Sequence, residues 1–79
     1  MYTRRGCHLC DDAWATLEKA KLRYPFSLTA IDVDEDPDLL LKYGNEVPVT
    51  AINDRVQFRG GLNAVLLNRV LRSLARERK

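Results

Sequence analysis

Tyr2-Thr3-Arg4-Arg5-Gly6-Cys7-His8-Leu9-Cys10 is the stretch that decides how this chain is read. Tyr2 and Thr3 are β-formers, and Arg4-Arg5-Gly6 turns the chain toward the cysteines. From Cys7 onward the apolar positions Cys10, Ala13, Trp14, Leu17 and Ala20, with Leu22 beyond them, follow the i, i+3, i+4, i+7 spacing of one helical face. A first helix therefore begins at the cysteines. It ends near Arg23-Tyr24, because Pro25 disfavours helical geometry at the residue before it. These are the only 2 cysteines of 79 residues, so none remains for a structural framework. An isolated Cys-x-x-Cys of this kind is expected to be catalytic or metal-binding, in a reducing compartment.

Phe26 to Val33 is rich in β-branched and apolar residues, alternating at Phe26, Leu28 and Ala30 before shifting phase to Ile31 and Val33, which suits an inner strand with apolar neighbours on both faces. Asp36-Pro37 supplies an N-cap and a first-turn proline. Leu39, Leu40, Leu41 and Tyr43 then make a helix of about two turns closed by Gly44. After Val47-Pro48, two strand-like runs, Val49 to Ile52 and Val56 to Arg59, are joined by Asn53-Asp54 as a β-hairpin. Gly60-Gly61 breaks the second run. Leu62, Val65, Leu66, Val70, Leu71 and Leu74 form a last helical stripe, with Asn63 as its N-cap.

The order β-α-β-α-β-β-α predicts an α/β fold in which a four-stranded mixed sheet carries helices on both faces, a parallel β-α-β unit being extended by an antiparallel hairpin. A chain this short buries only about 60 to 65% of its unfolded surface and has room for one active site. Residues 1–79 are expected to be a single domain and a monomer. Only six residues precede Cys7, so the first strand is expected to be clipped, or to continue upstream of Met1.

Composition narrows the function classes. The chain is 46% apolar and 30% charged, with no long apolar run, so neither a disordered tail nor a membrane span is expected. No apolar stretch follows the N-terminal arginines, so a secretory signal is not expected and the cytoplasm is. A net charge of +2 is too small for nucleic-acid binding unless the positive charge clusters. Arg69, Arg72, Arg76, Arg78 and Lys79 do cluster, but at the end of a helix, where cations complement the dipole. They are read as a solvated helix end.

The dithiol suggests its own chemistry. A thiol with pKa near 8.5 is only about 3% thiolate at neutral pH, and the thiolate is what attacks a disulfide. Cys7 at the mouth of a helix, with Arg4 and Arg5 upstream and His8 adjacent, is expected to be activated, with Asp11 and Asp12 opposing. Cys10 lies on the buried stripe and Cys7 precedes the helical body, so Cys7 is expected to attack and Cys10 to resolve the mixed disulfide. Trp14 is expected in the core, and the acidic run Asp34-Glu35-Asp36 at the start of the second helix. A closed zinc site needs four ligands, whereas the chain offers 2 cysteines and 1 histidine, so no metal site is expected within one chain. The alternative is an iron–sulfur carrier assembled from two protomers.

Tyr-Thr-Arg-Arg-Gly-Cys-His-Leu-Cys, Val-Asp-Glu-Asp-Pro, Tyr-Gly-Asn-Glu-Val-Pro-Val and Arg-Gly-Gly together resemble the glutaredoxin-like branch of the thioredoxin superfamily, over almost the whole chain. The resemblance implies a thioredoxin-like fold and thiol–disulfide exchange in cell redox homeostasis. Pro48 is implied to be cis and to pack beside the cysteines, and the Val47 backbone to pair with substrate like an added strand. It further implies that Arg4 binds a glutathione carboxylate, and that Gly60, Gly61 and Asn63 lie at the γ-glutamyl end. His8 and Leu9 replace the usual proline and tyrosine between the cysteines. No cofactor is required on this reading, glutathione is a candidate co-substrate, and the partners are disulfide-containing proteins or glutathione.

Overall fold

The stripe behind the cysteines folds as helix α1, His8–Arg23, in a computed structural model that describes residues 1–77, of Glu77 the backbone alone. Arg78 and Lys79, part of the basic C-terminal cluster, lie outside the described residues. Cys7 caps α1 at its N-terminus and Tyr24 at its C-terminus, and the helix buries Cys10, Ala13, Leu17 and Ala20. Trp14 departs from expectation: it is only half-buried, and its indole N–H donates to Glu18 one turn on, at 2.6 Å. A polar tip that reaches a partner at the surface keeps the ring on the rim of the core.

The sheet runs β2-β1-β3-β4. Strand β1, Tyr2–Thr3, pairs in parallel with β2, Ile31–Asp32, and antiparallel with β3, Val49–Ile52, which in turn pairs antiparallel with β4, Arg55–Arg59. The expected inner strand Phe26 to Val33 is corrected on two counts. It shrinks to Ile31–Asp32, and it lies at the sheet edge. Among the described residues its only partner is β1, which offers two residues for pairing, and the Asp32 carboxylate accepts from the Asp34 N–H, turning Val33–Glu35 into a 3-10 turn. Phe26 and Leu28 pack into the core from outside the sheet.

The hairpin turn falls where Asn53-Asp54 places it. Both residues have positive φ, 52° and 65°, as the tight turns favoured in hairpins require. A bulge between Thr50 and Ala51 of β3 pairs Thr50 with Phe58 and Ala51 with Val56. Phe58 therefore joins the cluster of Leu17, Ala20, Leu67 and Leu71, while Val56 joins Val33, Tyr43 and Val49 on the opposite face. In a regular strand residues two apart share a face; the bulge splits them.

Helix α2, Pro37–Tyr43, starts at the Asp36 cap and buries Tyr43, whose ring stacks on Tyr2 with centroids 4.6 Å apart. Leu40 and Leu41 face outward. Gly44 closes the helix in right-handed geometry, not in a left-handed cap; a Cβ there would collide with the Leu40 carbonyl and come within 2.9 Å of its side chain. Helix α3, Ala64–Glu77, is capped by Asn63, whose Oδ1 accepts from the N–H groups of Val65 and Leu66. Its buried line is Leu67, 1% exposed, and Leu71, whereas Val65 is 67% and Leu66 45% exposed. Of the expected stripe, Leu71 is buried and Leu62, Val70 and Leu74 are partly buried, but Val65 and Leu66 face outward, and Leu67, which the stripe omitted, is the most buried residue of the helix. α1 and α3 cover one face of the sheet and α2 the other, as expected. Among the described residues no helix is long and apolar enough to cross a membrane.

Candidate dithiol site

Cys7 reaches the mouth of α1 through a turn. Its N–H donates to the Arg4 carbonyl at 3.3 Å, with Gly6 at φ 78°, the positive angle that the third residue of a type II turn demands. At the N-cap Cys7 is extended, and its Sγ accepts the N–H of Cys10 at 3.1 Å. The two cysteines, with Cα atoms 5.2 Å apart, are joined as a disulfide. Their environments differ. Cys10 is 2% exposed and lies on the buried face of α1, while Cys7 is partly exposed.

Strand register brings the remaining predicted residues to the same end of the sheet. Tyr2 pairs antiparallel with Val49, so the chain leaving β1 toward Arg4 and the chain entering β3 from Pro48 lie at the same end of the sheet. Val49 pairs with Arg59, which sets Pro48 opposite Gly60, and the Gly60 N–H donates to the carbonyls of Pro48 at 2.8 Å and Glu46 at 3.1 Å. The Val47-Pro48 peptide is cis. Pro48 and Gly60 thus sit side by side at the sheet end from which the cysteine loop springs, with Val47 before the one and Gly61 and the Asn63 cap after the other. Among the described residues neither the N–H nor the C=O of Val47 is hydrogen-bonded.

The charged groups do not all face the thiols. Arg4 donates through Nε to both oxygens of Asp34 and through Nη1 to the Gly44 carbonyl at 3.4 Å. Its guanidinium is held over the start of the 3-10 turn and the end of α2. Arg5 and His8 are exposed, and among the described residues their side chains make no hydrogen bond or ion pair. Asn63 spends Oδ1 on capping, accepting from the N–H groups of Val65 and Leu66. Glu46 pairs with Arg59, whose guanidinium also lies 5.9 Å from the Tyr43 ring centroid, tying the loop before Pro48 to the end of β4. Asp34, Gly44 and Glu46 were not singled out for these roles from sequence. Asp34 sits 30 residues from Arg4 within an acidic run that reads as capping, so no local signal marks it. Among the described residues no group of three or more His, Cys, Asp or Glu side chains comes together as a metal-binding set.

A four-stranded mixed sheet with a dithiol at the mouth of its first helix and a cis proline at the same sheet end defines a thioredoxin-like fold of glutaredoxin type. The chain belongs to the glutaredoxin-like domain family (DUF836), whose family model matches residues 1–72. Its structure is similar to the solution NMR structure of protein Ne2328 from Nitrosomonas europaea, with 32% identity, 89% of this chain and 85% of that chain covered, and a TM-score of 0.75. No curated protein matches the chain. The family and the Cys7–Cys10 pair point together to thiol redox chemistry.

Proposed function

We propose that this protein is a thiol–disulfide oxidoreductase in which Cys7 is the nucleophile and Cys10 the resolving thiol. The observation that carries this reading is the 3.1 Å contact from the Cys10 N–H to Sγ of a partly exposed Cys7, beside a Cys10 that is buried. A hydrogen bond to a charged group contributes roughly 1.5 to 3 kcal/mol. An exposed charge near a helix end contributes roughly 0.3 to 1 kcal/mol. In the disulfide form this N–H already points at Cys7 Sγ, and on the proposed reading the same donor meets the Cys7 sulfur after reduction, against the opposing charges of Asp11 and Asp12.

In the reaction, the Cys7 thiolate attacks one sulfur of a substrate disulfide, forming a mixed disulfide and expelling the other sulfur as a thiolate that takes a proton. Cys10 loses its proton and attacks Cys7 Sγ, breaking the mixed disulfide and releasing the second substrate thiol. The substrate gains two electrons and two protons, and the protein is left as the Cys7–Cys10 disulfide. An external thiol reductant returns it to the dithiol. The substrates are protein disulfides or glutathione mixed disulfides, laid against the free backbone of Val47, with no resident cofactor. A thiol reductant is maintained in a reducing compartment, so the proposal includes the cytoplasm as the site of the reaction.

Reduction of a glutathione mixed disulfide of a small thiol, with glutathione and glutathione reductase as the recycling system, tests this. Cys7→Ser should abolish turnover, and Cys10→Ser should accumulate a mixed disulfide on Cys7 visible by intact mass. A Cys7→Ser protein that turned over at the wild-type rate would overturn the assignment. A coloured, dimeric protein from anaerobic purification that lost its colour in Cys7→Ser would favour the iron–sulfur carrier instead.

A further inference from the structure

β4 is the outer strand of the sheet and, among the described residues, pairs on one side only, with β3. Between its Arg55–Gln57 portion and α3 runs a groove of about 640 Å³. Val70 and Leu74 of α3 give it an apolar floor; Arg55, Gln57, Arg69 and Ser73 give it polar walls. None of its lining residues is acidic or aromatic, and Asp54, the acid next to Arg55 in the chain, is not among them. Arg72 and Arg76 follow Arg69 at i+3 and i+7, so they share its helical face and extend the basic stripe by about two turns. Among the described residues Arg55, Arg69, Arg72 and Arg76 form no ion pair.

We propose that this edge is a docking strip for an extended acidic segment of a partner protein, which adds to β4 as a fifth strand and sets its carboxylates against Arg55 and Arg69. The open backbone of β4 offers the hydrogen-bond ladder that strand addition uses. The unpaired arginines select the occupant. A second copy of this chain would bring the same arginines against themselves, the repulsion by which charged edges deter self-pairing, whereas an acidic strand is attracted. Nucleic acid fits less well, because the groove has no aromatic platform on which bases could stack. The strip is separate from the dithiol, so occupancy and thiol chemistry can be lost independently.

The test is titration of the full chain with a blocked peptide of seven residues alternating glutamate and valine, followed by amide chemical shifts. Saturable shifts centred on residues 55–59 and on the face of α3 bearing Arg69 are expected, weakening by about tenfold in an Arg55→Ala, Arg69→Ala double variant and falling with added salt. Turnover of the small mixed disulfide by that variant should match wild type, which also shows that it folds. Three results would overturn the proposal: undiminished binding by the double variant, equal binding of the glutamine–valine peptide, or tighter binding of a single-stranded oligonucleotide of the same charge. Loss of turnover in Cys7→Ser with peptide binding intact separates this strip from the proposed catalysis.

Discussion

Asp34 holds the guanidinium of Arg4, with Nε 3.0 Å from Oδ1 and 3.3 Å from Oδ2, while Nη1 of the same arginine reaches the Gly44 carbonyl. The pair joins the end of β1 to the turn after β2 and to the loop leading into Val47-Pro48. It also fills with an internal carboxylate a guanidinium that the family resemblance would assign to a substrate carboxylate. Asp34 and such a substrate would compete for one fork.

Asp34→Asn should therefore lower KM for a glutathione mixed disulfide and leave kcat near its wild-type value. Both side chains are about two-fifths exposed, at 41% and 38%, so the pair contributes less than about 1 kcal/mol to stability. Steady-state kinetics together with urea unfolding check both parts. A KM that rose in Asp34→Asn would show instead that Asp34 orients Arg4 for the substrate.

Leu67 and Val65 separate the true buried line of α3 from the apparent one. Leu67→Ala should cost roughly 2 to 5 kcal/mol, because it empties a fully buried site beside Leu17 and Leu71. Val65→Ser, at an exposed position, should shift stability by no more than about 0.5 kcal/mol. Denaturant midpoints of the two variants, compared at a common slope, decide this.

Asn63 has a structural role that kinetics alone would mistake for substrate binding. Asn63→Ala removes the acceptor for the Val65 and Leu66 N–H groups and should cost roughly 0.5 to 2 kcal/mol. Asn63→Asp keeps the acceptor and should retain that stability. An Asn63→Asp protein with wild-type stability and an altered KM would assign the amide N–H groups to the ligand.

Trp14 lies one turn from Cys10 on α1, with its indole N–H on Glu18. Its fluorescence should change between the dithiol and disulfide states, and titration in glutathione redox buffers should give a single two-electron transition. Cys10→Ser, which cannot form the internal disulfide, should exchange only to a Cys7–glutathione mixed disulfide, with a midpoint set by the ratio of GSSG to GSH and not by that of GSSG to GSH squared.

Much of this protein is legible from local pattern. The extent of α1 follows from a stripe bounded by Cys7 and Pro25, the hairpin from Asn53-Asp54, the α2 start from Asp36-Pro37 and the α3 cap from Asn63, because each depends on residues within a few positions of one another. The dithiol is legible for the same reason: Cys7 and Cys10 are three apart at a helix start, and the helix itself sets one sulfur toward the core and the other toward solvent. Strand β2 is not legible. Phe26 to Val33 has the composition of a strand, but strand length depends on the partner, and β1 supplies only Tyr2 and Thr3.

Read locally, the chain shows the order of its elements, the starts of its helices and the placing of two thiols three residues apart at a helix mouth, all of which rest on short-range spacing and side-chain type. Tertiary structure decided which apolar residues of α3 are buried, that β2 lies at the edge, that a bulge sends Val56 and Phe58 to opposite faces, and that Arg4 is bound to Asp34. Each of these depends on what lies across a gap of many residues. Burial and pairing are properties of two surfaces, and a sequence read locally describes only one of them.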